Sequence, residues 1–191
     1  TLSLHDALPI LNRAVVGRTA AAIADFLKSR GLSKVVIGRD ARHGSLEFAE
    51  ESAEILSGAG LDVYLLPRQL PTPILAFAVN ELRMDCGIMV TASHNPAIDN
   101  GYKVYLGGEI DGVTYRGSQI IAPIDSDISK RIKAVTLPSP RGKTWTLVGE
   151  DLITRYVAKC AENHREEKPQ KIVYTAMHGV GTETLLAVFR E

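Results

Sequence analysis

Ser93 lies in the run Val90-Thr91-Ala92-Ser93-His94-Asn95-Pro96, continued by Asp99-Asn100-Gly101-Tyr102-Lys103. A serine hydroxyl is a weak nucleophile and needs a base, a metal or a pre-attached phosphate to act. A phosphoserine brings a charge of about −1.5 to −2 and three acceptor oxygens. The turn N–H groups, the His94 imidazole and the Asn95 amide are the groups at hand to balance that charge. Pro96 fixes its own φ and biases Asn95 toward an extended conformation, which makes the loop stiff. Asn100-Gly101 is a turn signal that returns the chain into a strand, Tyr102 to Leu106. Alternation along that strand puts Lys103 and Tyr105 on one face and Tyr102, Val104 and Leu106 on the other. Lys103 is therefore expected back beside the serine loop, in reach of a proton or a phosphate. A generic Ser-His-Asn-Pro is an ordinary hairpin turn. The whole string through Lys103, following a buried strand, favours a hydroxyl that carries a phosphoryl group and passes it on.

The elements that must position this loop follow from periodicity. The loop leaves an apolar run, Cys86–Val90. Upstream, Val16, Ala20, Ile23 and Leu27 recur at helical spacing and Gly31 sits where the helix should end. Lys34–Gly38 is a β-branched strand. Ser45 is expected to N-cap a helix with Ala49, Ala53 and Leu56 facing inward and Glu47, Glu50, Glu51 and Glu54 facing water. Asp62–Leu66 is a second strand, and Pro71-Thr72-Pro73 opens a third helix. Strand, helix, strand, helix, strand with short links predicts an α/β fold: a three-layer α/β/α domain over residues 11–135. Its sheet is mixed and mostly parallel, with Tyr102–Leu106 an antiparallel edge. A helix near 123–135 carries Asp125 and Asp127 in its first turns, carboxylates that complement the helix dipole.

Residues 136–148, rich in Pro, Lys, Arg and Thr, read as a linker, and residues 149–191 as the start of a second, similar domain. That block holds a helix from about Glu150, with Ile153, Val157 and Cys160 on one side. A strand at Ile172–Thr175 follows, then a Gly179-Val180-Gly181 turn and a helix from Glu183. The turn lacks the residues of a P-loop or a dinucleotide fingerprint and reads as a packing turn, with His178 a structural histidine. Thr1–Ile10, TLSLHDALPI, reads as the in-frame translation of a sequencing-adapter oligonucleotide and is left out of the fold argument. The second block is too short to be secure alone, so the chain is expected to be a piece of a longer protein at both ends.

Composition narrows the class. The 22 basic and 22 acidic residues cancel, so no nucleic-acid surface is expected. No apolar run approaches the roughly 18 residues of a membrane span, and no basic region precedes an apolar stretch as in a secretion signal. Cys86 and Cys160 are far apart in apolar patterns and read as buried thiols in a reducing compartment, the cytoplasm by default. Oligomeric state is not indicated.

The serine loop resembles the active-site loop of the alpha-D-phosphohexomutases, the phosphoglucomutase and phosphomannomutase enzymes. Val36-Ile37-Gly38-Arg39-Asp40-Ala41-Arg42 resembles the family's glycine-arginine-aspartate segment. Pro71-Thr72-Pro73 and Tyr174-Thr175-Ala176-Met177-His178-Gly179-Val180-Gly181 match further landmarks, the last at the start of the second domain. The resemblance implies a phosphoserine at Ser93, which is also a metal ligand through its phosphate. It implies His94 as a catalytic neighbour, Lys103 as general acid/base or phosphate clamp, and Thr91, Asn95, Asn100 and Arg39 as support for the phosphate loop. It implies Mg²⁺ as cofactor, and a sugar phosphate and sugar bisphosphate as substrate and intermediate. Net reaction moves phosphate between C1 and C6, on glucose or mannose, through a bisphosphate that reorients.

The family's three-aspartate metal loop, its sugar-recognition loop and its terminal phosphate-binding domain are not in this sequence. Neither is the arginine loop expected before Asn12. The 191-residue chain alone is therefore expected to be inactive as a mutase. Phosphopentose and phosphoglucosamine substrates, and a non-catalytic module that binds phosphosugars, are the alternatives.

Overall fold

Asn12 accepts a hydrogen bond from the Val15 N–H at 3.0 Å and so caps helix α1, Arg13–Lys28. The computed structural model describes residues 11–162 and 171–191; the adapter-like segment lies outside the described residues. After α1 the chain forms β1 (Lys34–Arg39), α2 (Ser45–Gly58), β2 (Asp62–Gln69), α3 (Thr72–Glu81) and β3 (Cys86–Val90). Then come β4 (Tyr102–Ile110), β5 (Val113–Gln119), α4 (Ile124–Ala134), β6 (Thr146–Leu147), α5 (Asp151–Ala161) and α6 (Thr182–Val188).

The strands make one sheet in the order β5-β4-β3-β1-β2-β6. β1 lies parallel to both β2 and β3, β6 is parallel to β2, and β4 and β5 are antiparallel additions. β1 and β3 are buried along nearly their whole length, as strands covered on both faces must be. Side chains of α1, α2 and α4 fill one face with Val35, Ile37, Ile88, Val104 and Leu106. Those of α3 and α5 fill the other with Val36, Met89 and Tyr105. This is the expected α/β sandwich with a mixed, mostly parallel sheet, and the alternation read along Tyr102–Leu106 holds. Among the described residues no helix is long and apolar enough to cross a membrane.

Several local expectations change. The Tyr102 strand is not the sheet edge; it runs on to Ile110 and turns through Asp111 and Gly112, at φ 51° and 78°, into β5. Paired left-handed residues are what a two-residue hairpin requires. β5 was hidden because its side chains are almost all exposed and leave no apolar run. The stretch rich in Pro and Lys supplies β6 to the other edge of the sheet. Helix α5 then packs on α3, with Phe77 and Tyr156 edge to face at 5.5 Å between ring centroids. Residues 172–175 are not a strand: Val173 is fully exposed, and none of the described strands pairs with this segment. Apolar β-branched residues alone do not make a strand without a neighbour to take their backbone hydrogen bonds. Cys86 is buried, and burial pushes its thiol pKa up, whereas Cys160 on α5 is only half-buried.

Glu51 is the largest reversal. It does not face water but is 2% exposed. Arg13 donates to Oε2 from Nε at 2.8 Å, and both terminal nitrogens of Arg141 reach the same carboxylate. Arg141 also pairs with Glu54. The buried carboxylate thus ties α1 and the 136–142 stretch to α2. Burial pushes the Glu51 carboxyl up, but the hydrogen bonds and charges of Arg141 and Arg13 outweigh it and hold the group below the usual 4.5. A carboxyl lowered on folding stabilises the native state above its unfolded pKa, and that contribution is lost as pH falls through the folded pKa. Glu51→Gln is expected to cost about 1.5–3 kcal/mol at pH 7, read as a lower denaturant midpoint. Below pH 4.5 the variant's stability should fall less steeply with acid than that of the native chain; parallel curves would remove Glu51 from this role.

Candidate active site

Because β1 and β3 are parallel neighbours, their carboxyl ends bring the Arg39–His43 loop and the Thr91–Asn100 loop together. Crevices outside the carboxyl ends of strands are where open α/β sheets bind ligands. Arg39 lies opposite Val90 in the ladder, and the Asp40 N–H donates to the Val90 carbonyl at 3.1 Å. The serine loop begins one residue later. Thr91 is buried, and its Oγ1 accepts the Ser93 N–H at 3.0 Å. The Asn95 N–H closes the turn on the Ala92 carbonyl at 3.1 Å. Ser93 itself stands at φ 57°, in the left-handed region, with its side chain exposed. Such a conformation costs a serine about 1–3 kcal/mol and persists only where the surroundings impose it.

What imposes it is Arg42. Its Nη1 donates to the carbonyls of Pro96 (2.6 Å) and Asp99 (3.1 Å), and its Nη2 to those of Ser93 (2.8 Å) and Asn95 (2.7 Å). Nε lies 3.2 Å from Asp40 Oδ2. Four guanidinium N–H groups are thus committed to the backbone of one loop, and Nε is left to the ion pair with Asp40. Asp40 is held in turn: its Oδ1 accepts the Arg42 N–H at 3.0 Å and the Ser45 hydroxyl at 2.7 Å. This corrects the reading of Ser45. The helix α2 cap is Gly44 at φ 77°, and Ser45 is buried with its hydroxyl turned to Asp40.

Asn100 completes the frame. Its amide nitrogen donates to the His43 carbonyl at 3.0 Å and to Ser45 Oγ at 2.9 Å, while its Oδ1 accepts the Gly101 N–H at 2.8 Å. Gly101 must be glycine here, since a Cβ would meet the Thr91 carbonyl oxygen at 2.6 Å. Its own carbonyl accepts the Thr91 N–H at 3.0 Å. Behind it the Tyr102 hydroxyl donates to Ser52 at 2.8 Å in the core.

Ser93, His94 and Asn95 open on a cavity of about 400 Å³, shared with Asp40, Arg42 and His43 and walled on the far side by residues 176–180. His94 Nδ1 is 3.4 Å from Ser93 Oγ, a separation that can tighten when a substrate binds. Lys103 and Arg39 are not among the residues lining that cavity. Lys103 stands opposite Met89, in the strand next to the one that carries the loop, and lines a separate small hollow with Thr19 and Ile128. His178, read as structural, is exposed and lines the serine cavity. Arg42 is the residue that sequence reasoning missed; the signal was the Asp-x-Arg spacing two residues after Asp40.

No group of three or more His, Cys, Asp or Glu side chains is placed to hold a metal among the described residues. The one carboxylate that lines the cavity among the described residues, Asp40, is already engaged by Arg42 and Ser45. Asp125 and Asp127 keep their helix-terminal role: Asp125 Oδ1 accepts the Ser126 N–H, and Asp127 pairs with Arg131 and Arg30.

The sequence profile of the phosphoglucomutase/phosphomannomutase alpha/beta/alpha domain I matches residues 6–137. A probable phosphomannomutase of Haemophilus influenzae is 44% identical over 183 residues, covering 92% of this chain and 36% of that protein. A phosphopentomutase of Mus musculus is 35% identical, covering 86% of this chain and 28% of its own length. The chain therefore spans about a third of the length of these relatives. The crystal structure of a phosphoglucomutase/phosphomannomutase family protein from Burkholderia thailandensis superposes with a TM-score of 0.76 at 26% identity, over 94% of this chain and 38% of that one.

Arg42→Lys tests the clamp. An ammonium group has three donors at one point and cannot reach four carbonyls in a fixed fork. Hydrogen exchange at the Ser93 and Asn95 amides is expected to speed up at least about tenfold, the equivalent of 1.4 kcal/mol or more of local opening. Unchanged exchange at those amides would show that the turn holds itself.

Proposed function

Because the chain belongs to the phosphoglucomutase/phosphomannomutase family, we propose that Ser93 is the phosphate carrier of a phosphosugar mutase, acting on hexose phosphates of glucose or mannose. The observation that carries this reading is the Ser93 geometry: an exposed hydroxyl at a left-handed residue, its backbone clamped by Arg42, at the mouth of a ligand-sized cavity. Relatives named for phosphomannomutase and phosphoglucomutase support the hexose assignment, and relatives named for phosphopentomutase support a pentose phosphate as the second reading.

In this mechanism the intact protein that contains the chain starts with phosphate on Ser93. A sugar hydroxyl oxygen attacks that phosphorus, the bond from Ser93 Oγ to phosphorus breaks, and a sugar bisphosphate forms. The hydroxyl proton goes to a nearby base; the 3.4 Å between His94 Nδ1 and Ser93 Oγ supports His94 in that role, while Lys103, which lines a separate hollow one strand away, is the second candidate. After the bisphosphate turns over, Ser93 Oγ takes the other phosphate, and the sugar oxygen left behind recovers a proton. Each step conserves phosphate, so the net result is isomerisation. The contribution of the Arg42 frame is positioning. It fixes the serine before the reaction, so that little reorganisation remains at the transition state.

Mg²⁺ belongs to the proposal only through the phosphate of Ser93. The described side chains do not by themselves fit the ion, which calls for several oxygen ligands. Thr91, Asn95 and Asn100 hold the loop from its backbone, and Arg39 anchors the end of β1.

Mass spectrometry of the intact protein after exposure to glucose 1,6-bisphosphate is expected to find phosphate on Ser93, and its loss on adding mannose 1-phosphate or glucose 1-phosphate. Ser93→Ala should remove the label and reduce turnover by at least about 10³-fold. A Ser93 that stays unmodified under bisphosphate would leave a non-catalytic phosphosugar-binding module as the better reading. Discharge by ribose 1-phosphate alone would move the substrate to the pentose class.

A further inference from the structure

The far wall of the serine cavity repeats the serine loop. Thr175 Oγ1 accepts the Met177 N–H at 2.9 Å, as Thr91 Oγ1 accepts the Ser93 N–H at 3.0 Å. The Gly179 N–H donates to the Ala176 carbonyl at 2.8 Å, as Asn95 does to Ala92 at 3.1 Å. Met177 stands at φ 52° and Ser93 at 57°, both left-handed without being glycine. The strings share the threonine, the alanine and the histidine, Thr-Ala-Ser-His-Asn against Thr-Ala-Met-His-Gly. One turn geometry thus drives out Ser93 and His94 on one wall and Met177 and His178 on the other, and all four line the same cavity.

The donor inventory of this cavity makes the pairing consequential. Four of the Arg42 N–H groups are spent on the serine loop and the fifth faces Asp40, and among the described residues no lysine lines the space. Among the described residues, the remaining side-chain donors for a phosphoryl group on Ser93 are the Asn95 amide and the imidazoles of His43, His94 and His178. His43 lies on the β1–α2 loop, on the same side as Ser93. Of these, His178 alone comes from the segment that follows α5, at the position in its turn that His94 holds beside the serine. A dianion between two walls is better held by donors from both sides than from one, since each takes a different oxygen.

We infer that His178 is a phosphate-binding residue of the Ser93 cavity, donating from its imidazole across the space to the phosphoryl group that His94 meets from the serine side. The inference rests on the phosphate-carrier reading of Ser93 and adds a contact from the segment that follows α5. Met177, where the serine would be, makes the second turn a binding copy without a nucleophile.

The test titrates the intact protein that contains this chain with glucose 1,6-bisphosphate and follows the histidine side-chain signals in long-range ¹H–¹⁵N spectra. His94 and His178 signals are expected to shift along one saturation curve. His178→Ala should weaken binding at least threefold with an unchanged unfolding midpoint, while His178→Asn, which keeps an N–H donor, should stay within twofold of the native chain. A His178 signal that stays still while His94 moves would overturn the contact and leave the serine reading intact. If neither signal moves and mass spectrometry finds no phosphate on Ser93, both readings fall together.

Discussion

The fork of Arg42 is the constraint on which the site depends. A guanidinium offers five N–H groups in one plane, in directions that cannot be varied independently. Here four of them meet carbonyl oxygens of residues 93, 95, 96 and 99, and the fifth faces Asp40. A loop that gathers its carbonyls around one cation has a single shape. That shape includes a left-handed Ser93, which would otherwise relax, and it offsets the cost of the conformation with charge-assisted hydrogen bonds. The clamp is partly buried, with Arg42 and Asp40 side chains each only 13% exposed, so water competes poorly for those donors.

The clamp works because the sheet delivers its two halves to one place. Parallel pairing of β1 with β3 sets Arg39 against Val90, so that the loops leaving both strands start side by side. Ser45 and Asn100 then pass the constraint between α2 and the start of β4, through the chain Asn100 to Ser45 to Asp40 to Arg42. Buried charge does similar work farther out, where Glu51 joins α1, α2 and the Arg141 stretch. On the other flank Arg68 in β2 meets both oxygens of Glu183 in α6, at 2.8 and 3.0 Å, and Glu150 before α5. Exposed pairs contribute little each, but a two-pronged contact fixes orientation, and this one holds the helix that follows the His178 turn.

Much of this fold was legible because it is written in short-range pattern. Apolar spacing marked α1, α2, β1, β2 and β3, and the Asn100-Gly101 signal marked the return into β4. What escaped were features whose cause lies in a partner distant in sequence. β5 carries almost no apolar pattern, and its place comes from its hairpin with β4. Glu51 looked like one more solvated carboxylate in an acidic run until two distant arginines buried it. The Ile172–Thr175 run has the composition of a strand, yet composition cannot supply the neighbour a strand requires.

For the candidate site the division is similar. The sequence by itself determined the chemistry on offer: Ser93 with His94 and Asn95, stiffened by Pro96, after a buried strand, in a string shared with the phosphohexomutases. Residue types and local spacing suffice for that, because a turn and its neighbours are set within a few residues. Tertiary structure alone decided that Arg42, and not Arg39, grips the loop, that Ser45 relays to Asp40 in place of capping a helix, and that His178 lines the cavity of the serine. Arg42 and Ser93 are 51 residues apart, and Ser45, only 5 residues from Asp40, is drawn into the same frame by Asn100, 55 residues away. A hydrogen bond requires donor and acceptor within about 3 Å and aligned, a condition that only the folded chain can meet.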